Sequence, residues 1–179
     1  MRIIPSVVIS PVICLAALAL SACVPATRPV APPPVRVAPP PPRPAPAPLP
    51  ADWRDWPVAP GTWSYRRDPR GTLALFGPNG GAALVTLRCM ADTRTVYLSR
   101  AGTAPAPLVI RTSTASRTLP VQPTGGQPPF VTTALTATDP LLDAIAFSRG
   151  RFAVEQGGGA PLVIPAWPEI GRVIEDCRD

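Results

Sequence analysis

Few residues of this chain could do chemistry, and the missing types narrow the choice first. There is no histidine and no lysine, and all 17 basic residues are arginine. Ser-His-Asp and Cys-His nucleophiles, histidine-bearing zinc sites, Schiff bases and Ser-Lys dyads are therefore excluded. What is left is carboxylate chemistry, a lone Ser or Thr hydroxyl, a metal held by oxygens, sulfur pairing, and recognition by arginine and tryptophan. Carboxylate catalysis of the glycan-cleaving kind needs two acids about 5 to 9.5 Å apart across a cleft. Asp139 and Asp143 lie one helical turn apart, and Glu175 and Asp176 adjoin on a face that reads as solvated. A helix cap and surface charge explain both sets, so neither a catalytic residue nor a cofactor is expected. Trp53 and Trp56 can stack on glycan rings, or can be the clasp by which the first ordered turn packs on the domain. Arg149 and Arg151, with Arg111 and Arg117 if the fold gathers them, can make an anion-binding patch; scattered solvated arginines are the alternative. Gly157-Gly158-Gly159 has no lysine after it and no helix directly behind it, so it reads as a hairpin loop, not a phosphate cradle.

The N-terminus decides where this chemistry would operate. Met1-Arg2 carries one positive charge, residues 3–22 carry none, and Pro5 and Pro11 leave Val12 to Ala22 as the uninterrupted apolar run. That run is short for a helix that must cross ~30 Å of hydrocarbon, and it fits an export signal. Its end, Leu20-Ser21-Ala22-Cys23, resembles the lipobox of bacterial lipoproteins. The resemblance implies that residues 1–22 are removed as a signal peptide and that Cys23 becomes the lipidated first residue. Ordinary cleavage after a small residue and an uncleaved anchor are the other readings. The residue after the cysteine is Val24, not the aspartate of inner-membrane retention signals, which points to the outer membrane, facing the periplasm.

With Cys14 in the leader and Cys23 taken by lipid, Cys89 and Cys177 remain. In an oxidising periplasm they are expected to pair; two free buried thiols are the alternative.

Three segments follow: a signal peptide over 1–22, a lipidated cysteine with a proline-rich tether over 23–50, and one globular domain over 51–179. Thirteen of the 27 residues from Val24 to Pro50 are proline, and the charges there are Arg28, Arg36 and Arg43. Such a segment should run as polyproline II for about 80 Å and cannot build a core. It reads as a spacer, or as a PxxP-type ligand. The domain has 129 residues, enough for one core.

Within it, alternation begins at 61–65, and 72–76 and 82–89 are strands joined by the turn-forming Gly77-Pro78-Asn79-Gly80-Gly81. Val85, Leu87 and Cys89 share one face, so Cys89 should point inward. Further strands are expected over 94–100, 108–114, 117–121 and 130–137. Asp139-Pro140 opens a helix with Leu141, Leu142, Ile145 and Ala146 at helical spacing, stopping near Gly150. Phe152 and Val154, then Leu162 to Ile164, form a hairpin. Trp167, Ile170, Val173, Ile174 and Cys177 make one stripe of a closing helix, with Glu169, Arg172, Glu175 and Asp176 toward water.

The fold class is thus mainly β with α: a small antiparallel sandwich or barrel with one internal helix and a C-terminal helix disulfide-stapled to a central strand. Leu87-Arg88-Cys89, Phe152-Ala153-Val154 and Cys177 are similar to motifs of small periplasmic domains of the invasion-associated locus B and type VI secretion-associated lipoprotein kind, over about residues 61–178. That resemblance implies a non-catalytic envelope accessory domain. The expected partners are the lipid bilayer through the N-terminal lipid and an envelope protein, with peptidoglycan or an anionic glycolipid as the alternative ligand. Nucleic acid is not expected, because no aromatic-basic cluster of an RNA platform is present. A carboxylate-based hydrolase is the third reading.

Overall fold

The computed structural model describes residues 48–179. The leader, Cys23 and the proline-rich run to residue 47 lie outside the described residues. In chain order the strands are β1 (Thr62–Asp68), β2 (Gly71–Gly77), β3 (Val85–Met90), β4 (Thr95–Ala101), β5 (Leu108–Arg111), β6 (Ser116–Leu119), β7 (Gln122–Pro123), β8 (Phe130–Thr136), β9 (Arg151–Gln156) and β10 (Leu162–Pro165). Helix α1 (Pro140–Ala146) precedes β9, and α2 (Pro168–Arg178) closes the chain.

The strands form two antiparallel sheets, one of order β1-β2-β3-β4-β8-β7 and one of order β10-β9-β5-β6. Each sheet keeps its own edges, so the barrel alternative falls and an open two-sheet arrangement stands. Period-two patterning produces this directly, because successive side chains of a strand leave on opposite faces. In β3, Val85, Leu87 and Cys89 are buried while Thr86, Arg88 and Met90 are only partly so. Val96 and Leu98 continue that inner face on β4, and Leu108, Ile110 and Thr112 are buried from the second sheet. One hydrophobic core takes residues from both sheets and both helices.

The turn at 77–81 does reverse β2 into β3, with Gly80 at φ +72°. A tighter reversal, not foreseen, joins β1 to β2 through Pro69-Arg70, where Asp68 pairs with Gly71 and its carboxylate accepts from the Arg70 amide at 2.9 Å. Gly71 is required there: its φ is +139° and a Cβ would collide with the Cys89 carbonyl of the neighbouring strand.

Asp139 caps α1 as its sequence context predicts, accepting from the Leu141 amide at 2.8 Å with Pro140 in the first turn. The helix stops at Ala146, not near Gly150, and Phe147 closes it. Helix α2 buries Ile170, Val173, Ile174 and Cys177 against β1 to β4 and α1. Trp167 does not join that stripe. It is the residue before the first turn, has extended φ/ψ and stays 41% exposed. Helical periodicity cannot hold for a residue that is not yet helical. Asp176 departs from expectation as well: it is partly buried and accepts from the Tyr65 hydroxyl at 2.6 Å and from Arg67 at 3.2 Å, tying α2 to β1.

Cys177 meets Cys89 in a disulfide with Cα atoms 5.4 Å apart, so the closing helix is stapled to a strand flanked on both sides. Arg100, on the inner parity of β4, is buried between the sheets and donates to the Val154 carbonyl at 2.6 Å and the Ala160 carbonyl at 2.5 Å. Burial pushes its pKa down from the ordinary arginine value. No helix among the described residues is long and apolar enough to cross a membrane.

Candidate functional site

The segment that enters the domain begins the site. Asp52 accepts from the Arg54 amide at 2.9 Å, and residues Trp53–Asp55 close into a single 3-10 turn. The Trp56 indole donates to the Pro50 carbonyl at 2.7 Å, folding the entering chain over itself. Ala59 then donates to the Val163 carbonyl at 2.8 Å, so the segment lies along β10.

The loop between α1 and β9 supplies the opposing wall. Ser148 Oγ donates to the Arg151 carbonyl at 2.5 Å and accepts from the Ser113 amide at 3.0 Å, while Ser113 Oγ accepts from the Arg149 amide at 3.2 Å. Gly150, at φ +73°, turns the chain between the two arginines. Arg151 Nη1 reaches across to the Arg54 carbonyl at 3.1 Å and lies 3.5 Å from the Trp56 carbonyl.

These contacts enclose a cleft of about 270 Å³ lined by Trp53, Arg54, Ser113, Arg149 and Arg151. The Arg54 guanidinium lies 5.2 Å from the Trp53 ring centroid, a cation–π contact, and 3.4 Å from the Asp52 carboxylate on the exposed rim. Neither Arg149 nor Arg151 pairs with an acid among the described residues. A cleft with three guanidinium groups, an indole face and a hydroxyl, and with no carboxylate in its lining, can hold an anionic group against the arginines and a ring against the tryptophan.

Three of the residues marked from the sequence, Trp53, Arg149 and Arg151, thus come together. Trp56 does not line the cleft; its indole is spent on the Pro50 carbonyl and its own backbone carbonyl lies beside Arg151. Arg111 and Arg117 stay out because each has an acid of its own, Glu155 and Asp139 respectively, the latter at 2.8 Å. Arg54 and Ser113 were not marked. Ser113 carries no local signal, since only the meeting of the β5–β6 turn with the loop after α1 puts it there.

Of the four carboxylates considered for catalysis, Glu175 is exposed and the other three are occupied in other ways. Asp139 caps α1 and binds Arg117, Asp143 binds Arg178 at 2.9 Å, and Asp176 is held by Tyr65 and Arg67. Burial alone would raise the Asp139 pKa, but the Arg117 hydrogen bond and the Leu141 amide outweigh it and hold the carboxyl below its ordinary value. Gly157 to Gly159 connect β9 to β10 as a hairpin loop, with Gly158 at φ +82°.

Fold and cleft together define a disulfide-stapled, two-sheet α+β domain with an aromatic-cationic surface cleft. Comparison with protein-family models, with curated proteins and with solved structures finds no match.

Proposed function

We propose that this chain is a lipid-anchored lipoprotein of the bacterial envelope whose domain is a non-catalytic binding module. Cys23 is its lipidation site, residues 23–50 its tether, and the outer membrane, on the periplasmic side, its location. Support for the envelope reading comes from the lipobox-like Leu20-Ser21-Ala22-Cys23 and from a disulfide that suits an oxidising compartment. The observation that carries the binding reading is the cleft of Trp53, Arg54, Ser113, Arg149 and Arg151, free of acids in its lining.

A protein partner is the simplest occupant for an accessory domain, but the concavity of the cleft favours a smaller anionic ligand. Peptidoglycan, which joins sugar rings to carboxylates, matches both the indole and the guanidinium groups. The test is co-sedimentation of the purified protein with isolated peptidoglycan. The unaltered protein should pellet, and Arg149→Ser with Arg151→Ser should cut the bound fraction about tenfold, the size expected from losing charge-assisted hydrogen bonds. If the double variant pellets as well as the parent, the cleft is not the binding site. If neither pellets, the ligand is not peptidoglycan.

A further inference from the structure

The core packs against one face of the six-stranded sheet, the face of Val85, Leu87, Cys89, Val96 and Leu98. Side chains of the opposite parity, among them Arg88, Met90 and Tyr97, point away from it and line a concavity of about 420 Å³ across β3, β4 and β8. Asp92 and Thr93, in the turn between β3 and β4, close one end, and Thr124 and Phe130 close the other. The second end is held in shape, because the Thr124 amide and hydroxyl both donate to the Phe130 carbonyl, at 2.9 and 3.2 Å. Along β4, Thr95 pairs with Met90 and Ala101 with Phe130, so the groove is ~20 Å long at ~3.3 Å per residue.

We propose that this groove binds a straight chain of uncharged sugar rings. Charge is the first support. The one guanidinium of the lining, Arg88, is held by Asp68 at 2.8 Å, and its one carboxylate, Asp92, lies at an end and accepts from the Thr93 amide at 2.9 Å. An ionic ligand thus finds no unpaired cation here, in contrast to the cleft of Arg149 and Arg151. Hydroxyl groups are the second. Thr86, Thr93, Tyr97, Ser99, Thr124 and Thr132 supply six of them to the lining. Ser99 donates to the Thr132 hydroxyl at 2.9 Å, and Thr132 donates to the Leu98 carbonyl at 3.4 Å. Both hydrogens on the floor are therefore spent, and the Ser99 oxygen is left to accept from a ligand rich in donors.

Apolar surface at intervals is the third. Tyr97 stands mid-face opposite Arg88, Phe130 lies at one end and Met90 toward the other, and all three are only partly buried. A sugar ring has a face of C–H bonds and a rim of hydroxyls, so it meets aromatic rings and side-chain oxygens at the same time. A peptide strand would need a sheet edge to pair its backbone, and this groove lies on a face. The groove follows neighbouring strands, which selects an extended, β-linked chain over the curled form of α-linked glucose, and its length takes a few rings end to end. The site is independent of what the arginine cleft holds, since a neutral sugar chain has no carboxylate to bring to Arg149 and Arg151.

Calorimetric titration of the full protein, in a detergent without a sugar headgroup, tests it with cellohexaose and chitohexaose as probes and maltohexaose as the curled control. At least one β-linked probe should bind, and more tightly than maltohexaose. Its affinity should change less than about two-fold between about 0.1 and 1 M salt, because no ion pair is there to be screened. Tyr97→Ala should weaken binding about ten-fold and Thr132→Val about three-fold, the sizes expected for one lost stacking ring and one lost neutral hydrogen bond. Phe130→Ala, at the start of β8, serves if Tyr97→Ala does not fold. Failure of both β-linked probes to bind would overturn the proposal, and so would equal affinity in the parent and all folded variants. Tighter binding of maltohexaose would remove the straight chain. Loss of binding in Trp53→Ala with Tyr97→Ala unaffected would overturn the proposal too, since the sugar would then sit in the arginine cleft.

Discussion

Asp139 shows how one residue carries several constraints at once. Its carboxylate caps α1 through the Leu141 amide and binds Arg117, whose alternative use would have been the anion patch. Because its folded pKa is held below the ordinary carboxylate value, the stability it contributes is fully present above about pH 4 and is lost as pH falls through the folded pKa. Asp139→Asn keeps a capping oxygen and loses the ion pair. Urea unfolding should show it less stable than the parent at pH 7, with the difference closing as pH falls through the folded pKa. Asp139→Ala should lose about 1 kcal/mol more, the size of a missing cap. Asp139 as cap was legible in the sequence, since Asp-Pro before a helical period is a local signal. Its pairing with Arg117 was not, because 22 residues and a change of element separate them.

At the scale of elements, the staple matters most. Cys89 was placed inward by the two-residue period of β3 and Cys177 by the 3.6-residue period of α2, and the helix lies across the strand as both periods require. Closing a loop of 88 residues restricts the unfolded chain by about 4.6 kcal/mol in the entropic model. Cys89→Ser with Cys177→Ser should therefore lower unfolding free energy by up to about that amount, read by chemical denaturation. A loss under 1 kcal/mol would mean that the packing of Ile170, Val173 and Ile174 and the polar contacts of Asp176 and Arg178 hold α2 without the disulfide. The same helix shows where periodicity stops working. Trp167 fits the stripe by number, but it stands before the first hydrogen-bonded turn and is left exposed beside Phe147. Arg100 is the reverse case: its parity with Val96 and Leu98 points it into the core, and two backbone carbonyls make that tolerable.

For the whole molecule, the anchor and the domain make separable predictions. If Cys23 carries lipid, the mature protein should show an acylated N-terminal peptide by mass spectrometry, and Cys23→Ser should move it from the membrane to the soluble fraction. A soluble variant that still binds the same ligand would assign recognition to residues 51–179 and location to the anchor. A parent chain that begins at Met1 without acyl mass would remove the lipoprotein reading and leave the stapled domain as described.

Local patterns in the sequence were enough for the strands other than β7, for both helices, the Asp139 cap, the Gly77–Gly81 reversal and the inward aim of both cysteines. Each depends on neighbours within a turn or two, where dihedral preference and side-chain period act directly. Only tertiary structure decided that the sheets remain two open layers, that Arg111 and Arg117 are claimed by Glu155 and Asp139, and that Trp53, Arg54, Ser113, Arg149 and Arg151 share one cleft. Those outcomes rest on contacts between segments 22 to 97 residues apart, and no local preference encodes which distant partner a charged or aromatic side chain will meet.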